Sequence, residues 1–545
     1  MRAESVTKRH HRVRERVVLL LGGALYALFY ARGSQIDERG ATTPGASLAR
    51  FAMALPVACL ALYALLRFAL PRLELAGDTG EKRPFCTPGA FGLILASYVP
   101  LFLIEYPGSF MYDIAAQATQ IATGRYSMFH PLAHTLLLRA CLGLSDVLGS
   151  LERCAALYSV ISMTAMAACF ALVCASLARS VSRRAARLSV GFFCLYPAHM
   201  AMASNCTKDG LFAACFALYL ALCAEDLACG RLSRGHRVLQ VLAGTAACLL
   251  RNNMIYAIAV YTVLLFAGGK RTLRVALCAL LAIALSRAAN AGLGAMVQAD
   301  AGSMGEMLSV PIQQLARARL TCGEVFTPEE RELMDEVCAH PTYDYTQVWR
   351  DYEPTLSDPV KNFLNPDVMR ERMPELAAMW LRVGRECPNV YLDAFLALAL
   401  PSYYPYSEYR VAQPDLEIGM QPGALTAPFG LEPIVQPGRF EALRTWLYEN
   451  VYRTGMDDVP VLRLTMNTGA VYWLLLLLAL YDLFCGRWER IAFMLLAGLL
   501  WGTFLLGPVM QGRYLYPFVC VLPLFAMRRK TIQREMKQEE PTHGV

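Results

Sequence analysis

Charge is scarce in this sequence. Asp, Glu, Lys and Arg make up only 17% of its 545 residues, against 56% hydrophobic ones, and the mean hydropathy is +0.36. With recurring apolar runs, that balance excludes a disordered chain and defines a polytopic membrane protein. No CxxC pair occurs, so neither a zinc site nor a redox motif is supported. The 18 cysteines lie mostly inside apolar stretches, where the thiol behaves as a small hydrophobe. The phosphate-binding glycine loop, the Rossmann glycine pattern, HExxH and GxSxG are all missing, which leaves a nucleotide-driven enzyme on the inner face without support. There is no internal repeat at a fixed period.

What is present is a graded distribution of charge. The net charge is +7, yet residues 299–458 hold 25 acidic and 13 basic side chains, leaving 38 basic against 19 acidic elsewhere. The excess basic residues sit in short loops between apolar segments, as the positive-inside rule requires, so a nucleic-acid partner is not expected. Apolar segments fall near residues 17–32, 48–70, 88–104, 154–178, 188–203, 210–227, 238–250, 253–267, 274–293, 467–484, 490–507 and 513–527. Each is close to the ~20 residues a spanning helix needs, or somewhat shorter, so about 12 spans are expected. The N-terminus is basic (Lys8, Arg9, Arg12, Arg14, Arg16) ahead of an apolar run without a small-residue cleavage site, which reads as an uncleaved first span.

Arginine-bearing loops at 179–187, 231–237, 270–274, 487–490 and 528–530 all fall on one face, the cytoplasmic one, together with both termini. This holds only if residues 131–149 do not cross, and they read as a helix lying on the outer surface with Arg139 and Asp146 toward water. The expected fold is therefore an all-α polytopic membrane protein with a mostly helical extracytoplasmic domain before its last three spans. Its parts are residues 1–298 with a first outer loop at 105–153, an outer domain at 299–466, spans at 467–530 and a tail at 531–545. Within the outer domain, Thr327-Pro328-Glu329-Glu330 signals a helix start, and 367–386 reads as an amphipathic helix. Residues 389–400 are apolar but too short to span, and read as a helix docked on the membrane surface. Residues 401–438 read as irregular loop. Cys206, Cys322, Cys338 and Cys387 lie outside, and a Cys322–Cys338 bridge is one pairing left open.

Four polar clusters share the outer face. The first loop has a Tyr106-Pro107-Gly108 turn that ends the preceding helix, then Asp113 just beyond the bilayer. SNCTKDG (204–210) contributes Lys208 and Asp209, LRNN (250–253) contributes Arg251 and Asn252, and QGRYLYP (511–517) contributes Arg513 and Tyr514. Taken singly, such cations are snorkelling anchors. Taken together, Lys208, Arg251 and Arg513 oppose the positive-inside trend, and a lipid-linked phosphate is one reason to keep them there. His130 and His134 are spaced four apart, a weak metal signal that reads better as packing or substrate hydrogen bonding. The plainer reading of SVPIQQLARA (309–318), DYEPTLSDPVKNFLN (351–365) and YYPYSEY (403–409) is ordinary packing, and it outweighs a functional one.

These motifs resemble those of the GT-C superfamily of integral-membrane glycosyltransferases, in particular a bacterial branch with YPG, Asp and Gln in the first outer loop and a downstream His-Pro. Here the matching residues are Tyr106-Pro107-Gly108, Asp113, Gln117 and His130-Pro131, with further similarity at TKD (207–209), LRNN (250–253), LSVPIQQLAR (308–317), DPVKN (358–362) and GRYLYP (512–517). The resemblance implies a polyprenyl-phosphate-linked sugar as donor, the lipid bilayer as setting and a glycan, lipid or protein as acceptor, in the bacterial plasma membrane. It implies Asp113 as the catalytic carboxylate, acting as base or metal ligand toward the acceptor hydroxyl, Lys208, Arg251 and Arg513 on the donor phosphate, and Glu105, Gln117, His130, His134, Asp209, Asn252 and Tyr514 around substrate. Many members carry two neighbouring acids in this loop and use Mg or Mn; here Glu105 and Asp113 stand apart, which leaves metal dependence open. Two rivals remain. A polysaccharide polymerase or O-antigen ligase would centre on late-loop residues such as His340 and Arg350. A transporter or flippase would carry ionisable residues midway through its spans.

Overall fold

A computed structural model describes residues 2–36, 40–75, 84–110, 112–229, 233–300, 304–339, 347–405, 423–452, 467–510 and 512–529. The first three long helices are α1 (Arg2–Gly33), α2 (Pro44–Ala64) and α3 (Thr87–Ile104). At the far end of α3, called here the outer end, come α4 (Tyr112–Thr123), α5 (Leu132–Leu142) and the single turn α6 (Ser145–Leu148). The bundle continues with α7 (Leu151–Ser180), α8 (Arg183–Leu195), α9 (Pro197–Ser204), α10 (Lys208–Cys229), α11 (Arg234–Leu250), α12 (Met254–Phe266) and α13 (Lys270–Val297). A helical body follows, made of α14 (Ser309–Thr321), α15 (Pro328–Val337), α16 (Asp358–Lys361), α17 (Pro366–Glu371), α18 (Met373–Glu386) and α19 (Pro388–Tyr403). Then come α20 (Glu441–Leu447) and the closing helices α21 (Thr468–Cys485), α22 (Trp488–Leu505) and α23 (Gly512–Ala526). Among the described residues there is no β-strand, only isolated bridges.

The protein is an all-helical membrane protein. Every apolar stretch of the sequence lies in helix, but eight helices among the described residues are long and apolar enough to cross a bilayer. Two more, Met254–Phe266 and Gly512–Ala526, are apolar but shorter. The stretch at 188–203 is not one helix. Pro197 lacks an N–H and holds Tyr196 in the extended region (ψ 119), so the chain breaks into α8 and α9. Helix α11, with 17 residues, carries His236 and the buried Gln240, which sets it apart from a uniformly apolar span.

Helix α5 has 11 residues and is roughly half the length of a span at 1.5 Å per residue, so residues 131–149 do not cross. Arg139 and Asp146 are exposed, as the surface-helix reading requires. Thr327 caps α15 in a reciprocal capping box with Glu330, the arrangement its sequence signals. The 367–386 stretch divides at Arg372, where Pro374 opens a new helix in α18. Helix α19 runs longer than 389–400, and its second half is buried, with packing against α1 and α21. It is docked on protein.

Residues 312–391 enclose a hydrophobic core of their own, built on Leu315, Phe326, Met334, Val337, Val360, Met379 and Val383. The candidate groups there serve this body. Gln313 and Gln314 bond backbone carbonyls of Glu353 and Tyr391, while Lys361 pairs with Glu306 and Asp358. The plainer reading of those motifs is the one their contacts match. Tyr403 is buried, and residues 406–409 lie outside the described residues. All described cysteines are free, and Cys322 neighbours Cys387, while Cys338 is sealed in the core.

At the opposite end, the basic loops converge. Asp482 is fully buried among Arg487, Arg490 and Arg528, Glu74 pairs with Arg487, and Arg14 bonds the carbonyl of Phe484. Arg179 holds Glu225 at 2.6 Å on the same end of α7 and α10.

Candidate functional site

The outer ends of four helices meet at one cluster of charge. Its formation begins at the Tyr106-Pro107-Gly108 turn that closes α3. Gly108 has φ +138, and a Cβ there would lie 2.4 Å from Ser159 Oγ and 2.8 Å from the Ser204 carbonyl, so only glycine allows this approach. The next residue is zipped to the α9–α10 connection. Ser109 N–H donates to the Ser204 carbonyl at 3.1 Å, and Cys206 N–H donates to Ser109 O at 3.0 Å. This pairing carries Asp113, in the first turn of α4, to Lys208, the first residue of α10.

Asp113 Oδ2 accepts from Lys208 Nζ at 2.5 Å and from Arg513 Nη1 at 3.1 Å. Both cations therefore share one oxygen. The side chains of Asp113, Lys208 and Arg513 are almost entirely buried, at 11%, 12% and 7% exposure. Burial pushes the Asp113 carboxyl up, the direction expected of a carboxylate beside a bilayer. The charges of Lys208 and Arg513, with the Lys208 hydrogen bond, outweigh it and hold the group well below the usual carboxylate range. The more basic Asp113 that burial alone would give is thus prevented by its neighbours.

Arg251 is one layer away. Its Nη1 donates to Asp209 Oδ1 at 2.7 Å, and its guanidinium lies 4.4 Å from the Tyr514 ring, 4.7 Å from Phe504 and 5.5 Å from Phe212. The fully buried Asp209 also accepts from Thr207 Oγ1 at 3.2 Å. Three cations thus face two carboxylates in one buried cluster. His130 lies within electrostatic reach of Lys208, Asp113, Arg513 and Asp209; burial first, then Lys208, drives its imidazole down to about 4, so it is neutral at physiological pH.

Gln117 and His134 do not reach an open surface. The His134 Nδ1 contacts Gln117 at 2.9 Å and Nε2 contacts Tyr158 Oη at 2.6 Å, while Tyr158 Oη also donates to the Thr207 carbonyl at 3.3 Å. This sealed brace sets α4 and α5 against α7 behind Lys208; burial pushes the His134 imidazole down to about 3. Glu105 is buried at the C-cap of α3, and its carbonyl accepts from Gln436. Asn252 is exposed and bonds the Met128 carbonyl at 3.4 Å. Tyr514 stacks on Phe504 with centroids 5.5 Å apart.

The late outer chain packs on the elements that carry Asp113. Residues Ala427–Phe429 pack on α4, and Arg444 bonds the Ile104 carbonyl. The helical body docks on the segment before Arg513 through Ser357 N–H to the Pro508 carbonyl, 2.9 Å. Sequence reasoning missed Tyr158, Phe212 and Phe504. Phe212 alone left a signal, four residues after Lys208 on one helix. Of the late-loop pair, Arg350 lies over Trp349 in the helical body, and His340 lies outside the described residues. A cavity of ≈ 1020 Å³ between α1, α2 and α21 is apolar apart from Arg50 and touches none of the residues of the charged cluster.

A divalent cation does not fit this donor set. The bonded oxygen of Asp113 already faces two cations, and among the described residues no three His, Cys, Asp or Glu gather to hold a metal.

Fold and cluster together define a helical membrane protein with a buried, net-cationic site at its outer helix ends. Residues 122–543 match the family described as "Family of unknown function (DUF6020)", and the chain belongs to it. That match contains Lys208, Arg251 and Arg513 and begins just after Asp113. Neither a curated protein nor a solved structure matches the chain.

Proposed function

We propose that this protein is a GT-C-like integral-membrane glycosyltransferase. It moves a sugar from a polyprenyl-phosphate carrier to an acceptor on the outer face of the bacterial plasma membrane, with both termini cytoplasmic. The observation that carries this reading is the meeting of Lys208 and Arg513 on a single oxygen of Asp113 at the membrane helix ends. With Arg251 and Asp209 included, the cluster holds one more cation than it has carboxylates to match. A buried excess of positive charge favours an anion, and a lipid phosphate presents one at this depth.

In the proposed reaction, Lys208 and Arg513 neutralise the charge that develops on the departing phosphate. Asp113 holds those two head groups in place and orients the acceptor hydroxyl, while the Asp209–Arg251 pair supports the start of α10 from behind. The donor is already activated, so no nucleotide is required. Arg350 is exposed over Trp349 of the helical body, and among the described residues none of the cluster's ion pairs involves it, which supports the glycosyltransferase reading over a ligase centred on that loop.

The test is binding and turnover with purified protein in nanodiscs. Undecaprenyl phosphate should bind, Lys208→Ala and Arg513→Ala should each weaken it, and a panel of undecaprenyl-phosphate-linked hexoses and pentoses should contain a substrate. No binding of undecaprenyl phosphate, with no transfer from any donor, would sink the reading and raise the transporter.

A further inference from the structure

We infer that His130, and not Asp113, is the proton acceptor of the transfer reaction, a largely buried imidazole with no hydrogen-bond partner among the described residues, next to the paired cations that receive the leaving phosphate. This rests on the glycosyl-transfer reading above. The argument begins with the bonding state of each titratable group in the cluster. Asp113 Oδ2 is taken by Lys208 and Arg513. Asp209 Oδ1 is taken by Arg251, and its Oδ2 by Thr207. Both ring nitrogens of His134 are bonded, to Gln117 and Tyr158, inside a sealed pocket. Asp113 keeps Oδ1 without a hydrogen bond among the described residues, but the two cations on Oδ2 hold the whole carboxylate in its charged, weakly basic form. His130 differs in having both ring nitrogens without a partner. Among the described residues none hydrogen-bonds its imidazole, whose one close ring neighbour is Phe129, edge-on at 4.9 Å. The residue keeps a small exposure of 8%, whereas His134 is at 0%.

The position of His130 is held by its loop. Met128 N–H donates to the Asp300 carbonyl at 2.9 Å, and Asp300 N–H donates to the Tyr126 carbonyl at 2.8 Å, tying the loop to the start of the outer chain. Pro131 follows directly and leads into α5. The groups facing the imidazole are Lys208 and Asp209 of α10, Asp113 of α4 and Arg513 of α23. The two cations favour the neutral ring, and a neutral ring is the form able to take a proton. When a phosphate anion settles on Lys208 and Arg513, its charge opposes theirs and raises the proton affinity of the imidazole. Donor binding therefore strengthens the base.

The step balances as follows in atoms and electrons. The acceptor hydroxyl proton passes to a ring nitrogen of His130 while its oxygen bonds to the anomeric carbon. The anomeric C–O bond to phosphate breaks, and its electron pair stays on the phosphate oxygen between Lys208 and Arg513. The imidazolium then returns its proton to water or to the released phosphate.

Three measurements in nanodiscs test this. In the wild-type protein, diethyl pyrocarbonate should modify His130 at neutral pH and leave His134 intact, and undecaprenyl phosphate should protect His130. His130→Asn should keep its affinity for undecaprenyl phosphate within about threefold. Its kcat with an undecaprenyl-phosphate-linked sugar should fall about 100-fold to 10,000-fold, and the acid limb of the pH–rate profile should disappear. A His130→Asn enzyme with near wild-type kcat would overturn the assignment while leaving the glycosyltransferase reading intact. So would a wild-type His130 that resists the reagent, a result that does not depend on the variant folding. Wild-type protein that neither binds undecaprenyl phosphate nor transfers sugar would overturn both.

Discussion

Lys208 Nζ sits 2.5 Å from Asp113 Oδ2, across 95 residues of sequence, and the pair is nearly closed to solvent. A carboxylate so placed is an anchor for cations before it is anything else. Asp113→Asn keeps the shape but leaves Lys208 and Arg513 buried without their counter-charge. Breaking a buried pair in this way costs about 3–5 kcal/mol, so the variant should be measurably destabilised and inactive. A thermal-shift assay should also show that undecaprenyl phosphate, by replacing the missing charge, stabilises Asp113→Asn more than wild type. Equal stabilisation of the two would separate Asp113 from the phosphate site.

The pH dependence of that pair has a defined sign. The folded Asp113 pKa lies below its unfolded value, so the pair's contribution is complete above the unfolded pKa and fades as pH falls toward the folded one. The stability gap between wild type and Asp113→Asn should therefore stay flat from about pH 5 to 8 and narrow only below about pH 4. A gap that closes between about pH 7 and 5 would contradict the depressed value.

His134 predicts an acid slope in a different window. Its folded pKa, pushed down to about 3 from 6.5, means the unfolded chain binds the proton more readily. Stability from this group is complete above about pH 6.5 and is lost as pH falls from there toward the folded value. His134→Gln should be less stable at neutral pH but show a shallower loss between about pH 6.5 and 4 in chemical denaturation. An unchanged slope would mean that His134 is not buried as a neutral ring.

Gly108→Ala tests how Asp113 is delivered. The new Cβ would meet both Ser159 Oγ and the backbone carbonyl of Ser204, at a φ that side chains rarely adopt. The cost should reach about 1–3 kcal/mol or more, and the α3–α4 turn should shift. Ser159→Ala in the same chain should restore little, because the Ser204 carbonyl cannot retreat. Full recovery in the double variant would show that only the side-chain contact mattered.

Sidedness is open to labelling. Arg370 is exposed on the helical body and Ser233 is exposed at the start of α11. An impermeant maleimide should label Arg370→Cys but not Ser233→Cys in intact cells. The reverse pattern would invert the topology.

Much of the fold is a local matter, and local matters are legible in sequence. Apolar runs between arginine loops are helices, because backbone groups in a bilayer must bond within their own segment. The Tyr106-Pro107-Gly108 turn and the Thr327 cap follow from residues within a few positions of one another, while the non-crossing α5 follows from the sidedness of the arginine loops. The break at Pro197 was written there too, since a proline inside an apolar stretch removes a helix bond and constrains the residue before it. The four outer polar motifs could also be assigned to one face, because charge bias in short loops reports sidedness.

Which of those charges would pair was decided only by the packing of the helices. Arg513 reaches Asp113 across 400 residues, whereas Arg251 is drawn instead to Asp209 and into the rings of Phe212, Phe504 and Tyr514. Nothing in the spacing of these residues separates the two arginines. The state of Asp113 is equally non-local: burial and two cations push its proton affinity in opposite directions, and the cations prevail because they stand at hydrogen-bond distance. Coulomb energy varies inversely with separation and with the local dielectric. Both are set by how helix ends distant in sequence come to rest against each other.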